Sequence, residues 1–140
     1  MIELALTLPI MAFSLLGAAD MARAFAVQLA VQNGARAGAE SSALDVTPTT
    51  SEASARVLDE IGRTPGLTPA NATVTVTYTL ADGTSVCTGA ASTSVAGTST
   101  VAIPCYANAR VQYTFSTLFA WPGLQRSFTF DRTTRVRRYQ

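Results

Sequence analysis

Histidine and lysine are absent from this 140-residue chain, and cysteine occurs only twice. Without histidine the commonest general base and metal ligand is missing. Ser-His-Asp and Cys-His catalysis within the chain are excluded, and two cysteines alone are too few for a structural zinc site. Charge is scarce as well, at 14% of residues against ~25% in ordinary soluble domains. Ten arginines and nine acids nearly cancel, leaving a formal net charge of +1. Nucleic-acid affinity comes largely from neutralising phosphates, so no nucleic-acid partner is expected. The remaining carboxylates do not form a catalytic pair: Asp59 and Glu60 are adjacent and point to different helix faces. No enzymatic activity, cofactor or metal is expected. What is abundant is apolar sequence, 48% of residues, with too little charge for a disordered acidic or basic tail.

Most of that apolar character is at the start. Leu4 to Ala19 carries no charge, and Glu3 and Asp20 bracket it. A membrane-spanning helix needs ~20 predominantly apolar residues, with a range of roughly 17–25, so this run is at the short edge. The weakly polar residues beyond Arg23 extend it. A signal peptide would want a basic n-region, and Glu3 stands where that charge would be. Helix formers dominate from Ile2 to Leu44, and no proline occurs between Pro9 and Pro48. Such a helix would be about 64 Å long at ~1.5 Å per residue. Its second half must therefore leave the membrane or the apolar core. Pro9 cannot donate to the carbonyl of Ala5 and crowds that turn, which predicts a kink or a locally unwound turn. Ala18, Ala22, Ala26, Ala30, Gly34 and Gly38 recur every fourth position as a ridge of small side chains along one helix row. Ridges of this kind let helix backbones approach closely, and this one drifts slowly around the helix, so it is expected to serve several crossing neighbours in subunit assembly, together with Glu3 and Pro9. Glycine in a helix costs ~1 kcal/mol against alanine, so the two glycines favour a packing role over chance in an alanine-rich helix. Glu3 is expensive in an apolar setting unless paired. It either meets an amine at a neighbouring chain's N-terminus or sits in water at the membrane edge.

After residue 45 the pattern changes. Residues 45–50 are a break. Thr49 and Glu52 have capping-box spacing, which predicts a short helix to Ile61. Ala53, Val57, Leu58 and Ile61 fall on one face of it, with Gly62 as the C-terminal cap. Pro65, Gly66 and Pro69 form a linker. Residues 73–80, 109–117 and 126–137 then alternate as strands. Asp82-Gly83 is a hairpin signal with residues 84–87 as a return strand. The expectation is three or four antiparallel strands with one buried face, covered by the later half of the long helix. A Cys87–Cys105 disulfide would close a loop of under 20 residues, worth roughly 3 kcal/mol in the chain-entropy model. It fits an oxidising compartment, and the spacing is not that of a redox motif. Half of the arginines fall in the last 15 residues, as edge-strand protection or as contacts to acidic partners and anionic headgroups. The hydrophobic turn over 118–124, with Phe119 and the single tryptophan Trp121, is either core or a contact patch. Asn71-Ala72-Thr73 has the glycosylation pattern.

Glu3 to Pro9, the apolar run, then Asp20 to Phe25 and Gln32 to Ala39 together resemble the TadE-like family of pilins and pseudopilins of tight-adherence (Tad, or Flp-type) type IV pilus systems. The resemblance covers residues 2–39. It implies an α+β, lollipop-shaped, type IV pilin-like subunit: a long helix over 1–44 as membrane anchor and filament core, and a head over 45–140. It also implies a leader cut by a prepilin peptidase and storage in the bacterial inner membrane. Extraction by the Tad secretion platform into a surface filament of identical subunits and other pilins follows. In that setting Glu3 is the glutamate that meets an N-terminal amine. A structural pilin for adhesion is the first expectation. A minor pseudopilin or tip adhesin is the alternative, using the Cys87–Cys105 loop and the tryptophan turn.

Overall fold

The computed structural model describes residues 2–44, 49–87, 104–119, 123 and 125–138. Helix α1 runs Ile2–Ala43, α2 runs Thr50–Gly62, and a 3-10 turn at Pro69–Asn71 leads into the strands β1 (Ala72–Thr79), β2 (Tyr106–Ser116) and β3 (Ser127–Arg137). The long helix and the antiparallel sheet are those expected, with three strands.

Helix α1 continues through Pro9, so no turn is unwound there. Nearby, the Thr7 and Ser14 hydroxyls donate to the carbonyls of Leu4 and Ile10, at 3.3 and 2.8 Å. Their polar groups are thus returned to the helix itself, which suits an apolar environment. Helix α2 starts where the capping box places it. The Glu52 amide donates to the Thr49 hydroxyl at 3.2 Å, and the Thr49 amide donates to the Glu52 carboxylate at 3.2 Å. Its far end differs from expectation. Gly62 is the last helical residue, Arg63 caps in a right-handed conformation, and the left-handed glycine is Gly66, at φ +82°.

The sheet order is β1-β2-β3 with both pairs antiparallel. Strand β2 is central, and its Ala107, Ala109, Val111, Tyr113 and Phe115 alternate into the core. The expected return strand shrinks to one bridge, Thr79 to Val86. Asp82 explains the tightness of that turn. Its carboxylate accepts from the amides of Thr84 and Ser85, both at 3.0 Å, and from the Ser85 hydroxyl.

The later half of α1 covers the sheet, as its pattern requires. Val27, Val31, Ala35, Ala39 and Ala43 recur every fourth residue and are buried. Val27, Val31 and Ala35 join Val57 and Ile61 of α2 and Val111, Tyr113 and Phe115 of β2 in the main core. Ala39 joins Ala53, Val76 and Ala109 in a second cluster. Burial of each large apolar side chain contributes on the order of 1.5–3 kcal/mol, so the rod is a structural part of the head.

Candidate assembly and membrane surface

Up to Leu15 the side chains described on α1 are exposed. Leu4, Leu6, Leu8, Ile10, Met11, Phe13 and Leu15 are all exposed, Leu15 at 71%. Glu3, Pro9, Ala18 and Ala22 are exposed too. Helix α1 is long and apolar enough to cross a membrane, and an isolated apolar surface of this size calls for lipid or protein around it. Beyond Asp20 the exposed apolar row continues on one side of the helix as Met21, Phe25 and Leu29.

The small-residue ridge divides. Ala18 and Ala22 are open, Ala26 is half-buried, and Ala30, Gly34 and Gly38 are buried. This corrects the expectation that the whole ridge serves neighbouring chains. The upper part is filled by the chain's own α2. A Cβ at Gly34 would lie 3.2 Å from Ile61 and 3.3 Å from Val57, and one at Gly38 would collide with Val57. The reason is the row's drift around the helix, which carries it under α2 by residue 34.

Asp20 is the residue that the sequence pattern did not single out. It is 6% exposed. The Leu118 amide donates to its Oδ1 at 3.0 Å, and Arg23 lies 3.4 Å from the same oxygen. The Arg23 guanidinium in turn sits 5.2 Å from the centre of the Phe115 ring. The carboxylate thus ties the end of β2 to the rod across 98 residues of sequence. Its advance signals were its position, as the first charge after the apolar run, and its place at the start of the Asp20 to Phe25 motif. Beside this tie, Gly17, Met21, Ala24, Phe115, Phe128 and Phe130 line an apolar cleft of about 600 Å³ between α1 and the sheet.

Cys87 and Cys105 form a disulfide, with Cα atoms 6.1 Å apart. The Cys87 amide donates to the Tyr78 carbonyl at 3.1 Å, so the bridge joins the segments after β1 and before β2. The loop that it closes, over 88–103, lies outside the described residues, as does Trp121. Phe119 is described and exposed, together with Leu118. On the outer face of the sheet Arg110 pairs with Asp131, its Nε donating at 3.1 Å, and Gln112 donates to the same carboxylate at 3.0 Å. The Arg110 hydrogen bonds, with Gln112 adding, hold the Asp131 carboxyl below the usual carboxylate range. Two of the C-terminal arginines are engaged within the chain: Arg135 lies 4.1 Å from the Tyr106 ring centre and Arg138 lies 5.2 Å from that of Tyr78. Among the described residues, no three cysteine, aspartate or glutamate side chains gather as a metal site.

No curated protein and no solved structure matches the chain. A family model described as TadE-like protein matches residues 1–40. The match covers the N-terminal 40 of the 140 residues, the same segment whose motifs carry the resemblance.

Proposed function

We propose that the chain is a non-enzymatic structural subunit of a Tad-type pilus, held in the inner membrane by α1 and then polymerised through it into a surface filament. The exposed row Met21, Phe25 and Leu29 carries this reading. A bilayer core accounts for about 20 residues, which from Leu4 reach Arg23. Leu29 stands about 9 Å further along at ~1.5 Å per residue. Lipid covers α1 as far as Met21 and Arg23 but not the end of this row at Leu29, and a second copy of the protein at head level would. A contact that repeats head to tail without closing makes a fibre.

The test is sedimentation of filaments from cells in the absence of detergent. Wild-type protein is expected in the filament fraction, and Leu29→Glu should abolish it while the membrane-held subunit remains. A wild-type chain that stays monomeric, or a Leu29→Glu chain that still assembles, overturns the reading. The tip-adhesin reading draws on the exposed Leu118 and Phe119 and on the disulfide-closed loop. In that case, deleting residues 88–104 abolishes surface attachment and leaves filaments intact.

A further inference from the structure

We propose that the β2–β3 end of the head is a foot that rests in the bilayer surface, so that the stored subunit contacts lipid through its head as well as through α1. The occupant is membrane lipid, and the inference rests on the reading that α1 spans the membrane.

The level of the foot is fixed by one bond. The Leu118 amide donates to Asp20 at 3.0 Å, so the chain after β2 stands beside residue 20 of the rod. The uncharged run ends at Ala19, yet a hydrocarbon core measured from Leu4 extends to about Arg23. That boundary lies about 4.5 Å beyond Asp20 at ~1.5 Å per residue. Whatever part of the head stands beside Asp20 is therefore at the depth of the acyl-chain boundary. The side chains placed there suit that depth. Leu118 is 60% exposed, and Phe119 and Phe128 are exposed as well. The apolar cleft between α1 and the sheet includes Gly17 and Met21, at the same level. Phenylalanine and leucine side chains on an interfacial surface seat at the boundary of headgroups and acyl chains.

The charges at this level are handled as lipid requires. The Asp20 carboxylate is hidden from the surroundings and holds both the Leu118 amide and Arg23. Arg126 is exposed at the same end, where its carbonyl accepts from the Thr117 amide at 2.9 Å. An arginine there can reach the phosphate layer while its stem lies along apolar groups. The foot is thus continuous with the apolar surface of the rod and widens it at the point where the rod alone is too short.

The full chain, reconstituted in phosphatidylcholine–phosphatidylglycerol vesicles, tests this with one tryptophan at a time. In a Trp121→Phe background, Leu118→Trp reports on the foot and Phe13→Trp on the rod. Lipids brominated near the headgroup end of the acyl chain should remove most of the emission of the Leu118→Trp reporter. Lipids brominated near the chain terminus should do so for the Phe13→Trp reporter. Adding Asp20→Ala should return the foot reporter to water, seen as gained quenching by aqueous iodide. The thermal transition of each variant reports whether the head is folded, and Phe119→Trp replaces Leu118→Trp if that variant does not fold. A rod reporter quenched by deep bromines, beside a foot reporter that no brominated lipid quenches, overturns the foot and leaves the spanning helix standing. A rod reporter that no brominated lipid quenches overturns the spanning helix, and the foot with it.

Discussion

At Gly38 the packing leaves no room for a methyl group. An alanine there gains about 1 kcal/mol of helix propensity, but its Cβ would collide with Val57, whose side chain is fully buried. Overpacking of this kind costs typically 1–3 kcal/mol. Gly38→Ala should therefore lower stability, and by less in a Val57→Ala background than in the wild type, because the two positions couple. At Gly34 the closest approaches would be 3.2 and 3.3 Å, a misfit of a few tenths of an ångström, so Gly34→Ala should be close to neutral. Denaturant unfolding of the detergent-solubilised full chain separates the two. A second residue-scale prediction concerns acid. Asp131, tied to Arg110, and Asp82, tied to Ser85, both titrate below their ordinary range. A carboxylate with a depressed folded pKa stabilises fully above its unfolded value, ~3.9 for aspartate, and loses that contribution as pH falls through the folded value. The melting temperature should thus drop below about pH 4, and Asp131→Asn should flatten part of that drop. The two glycines were legible as a demand for close approach, because helical glycine needs a reason. Their partner was not, because periodicity gives the face and spacing of a row but not which helix fills it. Asp20 was legible only as the end of a run and the start of a motif, since its bond to Leu118 joins residues far apart in sequence.

Among the elements, the helices and strands followed their local signals closely. The Thr49–Glu52 capping box set the start of α2, and the alternation of valine and tyrosine set β1. Strand β2 begins three residues earlier than the alternation implies, because Ala107 faces inward and a buried alanine gives a weak apolar signal. The hairpin was over-read. The segment after the Asp82 turn makes a single bridge, and the disulfide ties it to the chain just before β2. Loss of the bridge by Cys87→Ser with Cys105→Ser should cost about 3 kcal/mol in the loop-entropy model, because the closed loop spans 18 residues. Thermal unfolding with and without reductant checks this. Reductant should shift the wild-type transition downward and leave that of the double variant unmoved.

For the whole molecule, the long helix and the elements that follow it share one core. Val27, Val31, Ala35, Ala39 and Ala43 belong to the rod in sequence and to the head in packing. A fragment of residues 45–140 should therefore fail to fold, whereas a fragment of residues 20–140, which keeps Asp20 and the buried row, should fold and retain a cooperative thermal transition. A cooperative transition from the shorter fragment would contradict the core described above. The shared core also has a mechanical consequence. Because α1 packs against both the sheet and α2, the head is held fast to the rod and does not swivel about it. Torque or tension applied to the rod therefore passes directly into the sheet. In the filament proposed above, the azimuth of every head would then be dictated by the rotation of its own rod, and a pull strong enough to slide the rod by one turn would unfold the head rather than reorient it.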